Sequence, residues 1–298
     1  MKNRYPIYIV SKGRWEKPMT AQLFMEDGVD FKILVEPQEY DNYCKTIPAK
    51  YVHKLPFSNL GVGSYPARNY AWEDSLKNGY KRHWVFDDNI RKTRIFKKGK
   101  RIPVNTLVAI RAIEDFTDRY TNIAISAFNY STFVTPGIKK PFYLNVHAYS
   151  CMLIKSHMPY RWRLKYNEDI DLCLQVLHNG MCTVLFNTFM MDKTSTVAKM
   201  KGGNQDELYK GNAHEKKVLK ARSLEEIWPQ YAKTVMRFGR PHHQVTWNKY
   251  FKQPLKRRTN IDWEEIKKPN DYGLKLKIKR QPKTDIVEQL KKQGNNLT

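Results

Sequence analysis

Along the chain, short apolar runs of four or five residues alternate with longer stretches in which apolar side chains recur every three or four positions. Residues 7–10 (Ile-Tyr-Ile-Val) and 31–35 read as strands, rich in β-branched and aromatic side chains suited to a pleated surface. Between them, Pro18 fits the first turn of a helix that carries Ala21, Leu23, Phe24 and Met25. Strand, helix and strand in that order predict a right-handed parallel crossover. A weaker third strand follows at 51–55.

A glycine-bearing loop, Asn59-Leu60-Gly61-Val62-Gly63-Ser64, leads into a helix through Pro66, Ala71, Trp72 and Leu76, stopped by Gly79. Such a loop can cradle phosphate, although its spacing matches neither a dinucleotide fingerprint nor a P-loop. Residues 84–86 (Trp-Val-Phe) form a buried strand. A helix follows over 104–116, then a strand at 123–127 and one or two strands within 142–154. Ile170, Leu172, Leu174, Val176 and Leu177 mark a helix ending at Gly180, before a strand at 182–186. The pattern predicts an α/β chain with a mostly parallel sheet flanked by helices. Residues 199–204 read as a mobile loop, Ser223-Leu224-Glu225-Glu226 as a capping box opening a helix, and 285–292 as a final amphipathic helix.

Two acidic clusters carry candidate chemistry. Asp87-Asp88-Asn89 follows the strand at 84–86, and in an open parallel sheet ligands bind beyond the carboxyl ends of the strands. Two carboxylates and an amide there suit Mg²⁺ or Mn²⁺, with a diphosphate supplying further oxygens; the alternative is an acidic turn with a capping aspartate. The second cluster, Glu168-Asp169-Ile170-Asp171, opens a helix, where the dipole alone stabilises carboxylates. Capping needs only one or two of the three. Arg68, on the first turn after the glycine loop, could reach a diphosphate or make a surface salt bridge.

Charge adds a partner. Lys and Arg total 53 against 29 Asp and Glu, a net +24, and a field of that sign attracts polyanions, of which nucleic acid is the commonest large one. Basic residues cluster at 91–101, either a solvated loop or a phosphate clamp. Beyond residue 239 they interleave with aromatics: Trp247, Tyr250 and Phe251, then Lys256-Arg257-Arg258. This shift suggests a boundary between residues 1–238 and a basic region at 239–298. The four cysteines lack metal-knuckle spacing, and no apolar run is long enough to span a membrane, so a cytoplasmic protein with reduced thiols is expected. A nuclease built on His242, His243 and Asn248 has no diagnostic ligand spacing behind it.

Taken in order, Tyr8-Ile9-Val10-Ser11-Lys12-Gly13-Arg14, Val35-Glu36-Pro37-Gln38-Glu39, Ala67-Arg68-Asn69, residues 84–90, residues 167–172 and Lys201-Gly202-Gly203-Asn204 resemble the TET-associated glycosyltransferases of bacteriophages, a GT-A-type family, across roughly residues 5–250. The resemblance implies a Rossmann-like GT-A fold and transfer of a sugar from a nucleotide (UDP) sugar to 5-hydroxymethylcytosine or another hydroxymethylated pyrimidine in DNA. It also implies Mn²⁺ or Mg²⁺ on Asp87, Asp88 and Asn89, the last a departure from the acidic residue that the family favours. Asp169 becomes the general base of an inverting reaction and Glu168 positions the acceptor. Ser11, Arg14, Glu36, Arg68, Asn69, Asp87 and Lys201 line the donor, with Lys199 or Lys201 closing over it. DNA is expected on Trp247, Tyr250, Lys256, Arg257 and Arg258. A transferase with a non-DNA acceptor and a non-catalytic DNA-binding protein are the competing readings.

Overall fold

A computed structural model describes residues 1–194, 202, 203, 208, 213–268 and 270–274, with only the backbone of 213 and 214. Lys199, Lys201 and the helix expected at 285–292 lie outside the described residues. The chain divides into two compact units, Met1–Thr259 and Asn260–Thr298. In the second, a single turn at Glu265–Lys267 is preceded by Asp262, whose carboxylate accepts from the backbone N–H groups of Glu264 and Glu265.

The first unit begins as the pattern predicts: β1 (Ile7–Val10), α1 (Met19–Glu26), β2 (Lys32–Val35), α2 (Tyr40–Cys44), β3 (Val52–Lys54), α3 (Tyr65–Lys77) and β4 (Arg82–Asp87). Then come β5 (Ile90–Lys97), β6 (Lys100–Pro103), α4 (Thr106–Asp118), β7 (Ile123–Tyr130), β8 (Phe142–Leu144), β9 (Cys151–Lys155), α5 (Glu168–His178) and β10 (Cys182–Lys193). Ten strands form one sheet in the order β3-β2-β1-β4-β9-β7-β10-β5-β6, with β8 also on β10. The half from β3 to β4 is parallel throughout, β7 and β10 are parallel, and β9 enters antiparallel between β4 and β7. The result is a Rossmann-like α/β sheet whose amino-terminal half is wholly parallel. A helix, α6 (Ala213–Ile227), packs on a separate hairpin of β11 (Ala232–Arg237) and β12 (Arg240–Val245). No helix among the described residues is long and apolar enough to cross a membrane.

Strand β4 is the spine. Because helices cover both faces, its residues from Arg82 to Phe86 are all buried. Trp84 and Phe86 point one way, to Glu114 of α4 and Phe24 of α1. Val85 and His83 point the other, into the core shared with Trp72 of α3 and Leu174 of α5. His83 is fully buried, and that burial, with Arg161 nearby, pushes its imidazole down to about 3. The unfolded chain therefore takes a proton from about pH 6.5 downward that the folded one refuses until about pH 3. Stability is complete above the unfolded value and falls across that window, by on the order of 5 kcal/mol for so large a difference. Denaturant midpoints of the wild type are expected to drop steeply between pH 6.5 and 4.5, and those of His83→Gln to drop less. Equal slopes would place the acid sensitivity in another group.

Three elements differ from the sequence reading. The basic run at 91–101 is a hairpin of β5 and β6, turned at Lys98 and Gly99 with φ of 50° and 75°. Its charges sit on an exposed edge, which conceals the strand period. Ser223 lies inside α6 rather than at its start: its hydroxyl donates back to the carbonyl of Lys220, and Glu225 accepts from the Thr234 N–H. Strand β10 runs to Lys193 instead of stopping at 186, because buried Asn187 is satisfied by Asn129 and the carbonyl of Lys140 across an irregular register. The composition shift at 239 falls at the tip of the β11–β12 hairpin.

Candidate active site

The carboxyl ends of β1, β4 and β10 and the amino ends of α3 and α5 converge on one side of the sheet. Two adjoining hollows of about 340 Å³ and 190 Å³ open there, sharing Arg68, Asp87, Glu168 and Lys193. Thr20, at the start of α1, holds the turn after β4: its hydroxyl donates to the carbonyl of Asp87 and accepts from the N–H of Ile90.

Asp87 sits between two cations, Arg68 at 2.8 Å and Lys193 at 2.6 Å. Burial works against its charge, but Lys193 and Arg68 outweigh it and hold the carboxylate well below the ordinary range. Lys193 also donates to Ser150 (2.8 Å) and Tyr130 (3.2 Å). Arg68 is stacked over Trp162 and faces Glu168 at 3.7 Å. Ser64, the residue before α3, uses its hydroxyl to join Arg68 to Glu168 rather than to cap the helix.

The other half of the larger hollow belongs to α5 and to the loop between β8 and β9. His147 Nε2 lies 3.0 Å from Asp169 Oδ2, while Asp169 Oδ1 accepts from the backbone N–H of Ile170. Burial again opposes the charge on Asp169, yet His147 and Arg68 bring it down to about 2. Its neighbour Glu168 goes the other way, raised by burial and by the Asp169 charge despite Arg68. Two adjacent carboxyls are thus pushed apart in acidity, the pattern expected where they have different tasks. The ring of Trp247 stacks on His147, with centroids 6.1 Å apart and planes 5° from parallel. His243 also lines the hollow, and burial together with His147 and Lys220 lowers it to about 4, so it stays neutral at pH 7.

The expected donor residues divide. Ser11 donates to Asp88 (2.7 Å), and Arg14 forms a short ion pair with the same carboxylate. Both line the smaller hollow. Glu36 accepts from Lys12, Gln38 and the Asn59 N–H at the edge of a neighbouring slot lined by Leu55 and Phe57. Asn69 does not reach the site: its amide exchanges two hydrogen bonds with the backbone of Trp162. Asp171 is buried outside it, engaged by Arg163, Gln175 and Trp228. Gly202, whose flanking Lys201 lies outside the described residues, packs against Gly13 so closely that a Cβ would strike the Gly13 carbonyl oxygen, and φ is +77°. Glycine is required there.

Among the described residues no group of three or more His, Cys, Asp or Glu could hold a metal alone. Asp88 is spent on Ser11 and Arg14, and Asn89 is buried with its amide donating to the carbonyl of Thr194 at 2.8 Å. Both nevertheless line the smaller hollow together with Asp87. Asp87 and Glu168 do face the cleft, where the cations Lys12, Arg14, Arg68 and Lys193 stand among the carboxylates Asp87, Asp88 and Glu168. A diphosphate entering beside three carboxylates adds negative charge that a divalent ion would offset. One or two carboxylates completed by substrate phosphates is how Mg²⁺ is usually held, so Asp87, with Glu168 beside it, fits an ion that arrives with the donor.

The expected DNA contacts also divide. Trp247 is at the cleft, but Tyr250 is only 4% exposed and stacks on Tyr231, so it presents no face to a base. Lys256, Arg257 and Arg258 run beside residues 119–122, immediately before β7 begins. Their side chains are exposed, but Arg258 contacts Asp118, the partner of Arg82 at the start of β4. Five residue steps along β4 separate Arg82 from Asp87, about 17 Å at strand rise. The basic triplet therefore lies at the end of the sheet opposite the cleft. Sequence reasoning missed Lys193 and His147, which lie in a strand extension and a loop without periodicity.

The cleft at the strand ends thus sets clustered cations on one wall against a carboxylate–imidazole pair on the other. The chain belongs to the TET-associated glycosyltransferase family, whose sequence profile matches residues 5–203. Among solved structures, a protein from Desulfovibrio desulfuricans described as a nucleotide-diphospho-sugar transferase is similar over 62% of this chain and 80% of its own, with 9% identity and a TM-score of 0.34. A search among curated proteins finds no match.

Proposed function

We propose that the protein transfers a sugar from a nucleotide sugar, UDP-linked, to the hydroxyl of a hydroxymethylated pyrimidine, 5-hydroxymethylcytosine foremost, in DNA, with inversion at the anomeric carbon. The observation that carries the reading is the opposition, across one cleft, of Arg68 and Lys193 to the His147–Asp169 pair. The donor diphosphate lies toward Arg68, Lys193 and Arg14, whose charges stabilise the leaving group as its bond to the sugar breaks. A divalent ion held by Asp87, Mn²⁺ or Mg²⁺, supplies further charge neutralisation when bound.

On the other wall the acceptor hydroxyl attacks the anomeric carbon and gives up its proton. Asp169, ionised down to about pH 2 and engaged at both oxygens, is a weak base by itself. An imidazole held by a carboxylate is the commoner device for taking a proton near neutral pH. His147 is accordingly assigned as the proton acceptor and Asp169 as the group that orients it and stabilises the imidazolium. Glu168 positions the acceptor. The +24 charge and the family support a DNA acceptor.

The test is direct. Duplexes containing cytosine, 5-hydroxymethylcytosine or 5-hydroxymethyluracil are incubated with the protein and a panel of nucleotide sugars, and the digested nucleosides are weighed. A hydroxymethylated nucleoside heavier by one sugar is expected. Sugar consumption with transfer only to a non-DNA acceptor would replace the DNA reading with the broader transferase one.

A further inference from the structure

The β11–β12 hairpin carries an apolar side chain at a place where folding has no use for one. Its two-residue turn is Phe238-Gly239, with φ of 51° and 69°. Turns of this kind favour Asn-Gly, and a bulky residue in left-handed conformation is strained. Yet the first position is phenylalanine, 92% exposed, touching only the edge of His242 at 6.3 Å between ring centroids. Met236, 66% exposed, stands beside it, and exposed Arg237 and Arg240 flank the tip. A strained, solvent-facing aromatic between two arginines points to a partner that offers both stacked apolar layers and closely spaced anions.

The hairpin also leads to the chemistry. From Arg240, strand β12 reaches His243, which lines the cleft, in three residues or about 10 Å, comparable with the depth of a DNA major groove of about 8.5 Å. Trp247, just beyond, stacks on His147. His147 and Asp169 are recessed, with side chains 30% and 28% exposed, so a base stacked within a duplex cannot present its hydroxymethyl group to them.

We propose that the hairpin tip is a wedge that enters duplex DNA beside the target nucleotide. Phe238 fills the gap left in the stack, Arg237 and Arg240 hold the flanking phosphates, and the extruded base is received in the hollow beside the stacked Trp247 and His147. Insertion of an apolar side chain between base steps is an established way to unstack them. The inference rests on the DNA acceptor reading above and deepens it.

Transfer is compared on duplex and single-stranded DNA carrying the same 5-hydroxymethylcytosine, for wild type, Phe238→Ala and Phe238→Trp. Because Phe238 packs on almost nothing, both variants should fold and hydrolyse donor at the wild-type rate. Phe238→Ala is expected to lose about 10- to 100-fold on duplex and nothing on single strands, where no extrusion is needed. Phe238→Trp should retain duplex activity. A 2-aminopurine next to the target should brighten with wild type and stay dark with the alanine variant. Equal duplex rates for wild type and Phe238→Ala would overturn the wedge. So would loss by the variant of binding to anionic phosphatidylserine vesicles with duplex transfer unchanged, which would make the tip a membrane contact. No transfer by the wild type to either strand form would remove the acceptor reading itself, a result distinct from failure of the wedge alone.

Discussion

Asp169→Asn is expected to fold and bind donor normally while transferring sugar about 10² to 10⁴ times more slowly, the usual worth of a positioned proton acceptor. Asparagine preserves the hydrogen bond from the Ile170 N–H that anchors the first turn of α5, so the helix loses little. What disappears is the charge 3.0 Å from His147 Nε2. Without it the imidazole has no anion to set its tautomer or to stabilise the proton it receives. His147→Gln should cost a similar factor. The double variant should be no slower than the worse single one, because residues that act as one unit lose their function once. Rates from single-turnover transfer, with donor saturating, give the comparison. Losses that multiply would mean two independent roles, and unimpaired transfer by Asp169→Asn would return this carboxylate to capping α5.

The backbone frame was legible because its signals are local. Strands β1, β2 and β4 read directly from short apolar runs covered on both faces, and the acidic residues at the ends of β4 and the start of α5 fell where parallel sheets bind ligands. What could not be read depends on pairing between distant segments. Lys193 reaches the cleft only because β10 continues through Asn187, a polar residue that ends a strand on any pattern argument and is tolerated through Asn129. His147 has no periodicity around it, and its partner is 22 positions away. Composition alone marks residues 247–258 as basic and aromatic, but Tyr250 is turned into the core and 256–258 are laid along the residues before β7, at the far end of the sheet. The trio at 87–89 shows a subtler limit. All three residues line the smaller hollow, but the chain also ties Asp88 to Arg14 and Asn89 to the carbonyl of Thr194, which no local pattern announces.

Asp87→Asn should separate donor binding from catalysis. In the wild type this one carboxylate occupies both Arg68 and Lys193, one on each oxygen. Neutralising it leaves two cations facing the space where the diphosphate enters. A single charge pair at about 4 Å is worth about 4 kcal/mol at the effective dielectric of a protein surface. Even a third of that, after competition with water, would tighten binding about tenfold. The variant is therefore expected to bind nucleoside diphosphate more tightly than wild type in the presence of chelator. Transfer should nevertheless fall at least about 100-fold, because attraction that is already complete in the ground state does not lower the barrier. The wild type should lose transfer in chelator and regain it with Mn²⁺ or Mg²⁺, whereas the residual activity of the variant should no longer respond to either. Calorimetric titration with nucleoside diphosphate, with and without Mn²⁺, reads the first effect and single-turnover transfer the second. Full wild-type activity in excess chelator would remove the ion from the reaction. Weaker diphosphate binding by Asp87→Asn under chelator would mean that Asp87 supports the donor directly instead of holding Arg68 and Lys193 in reserve for it.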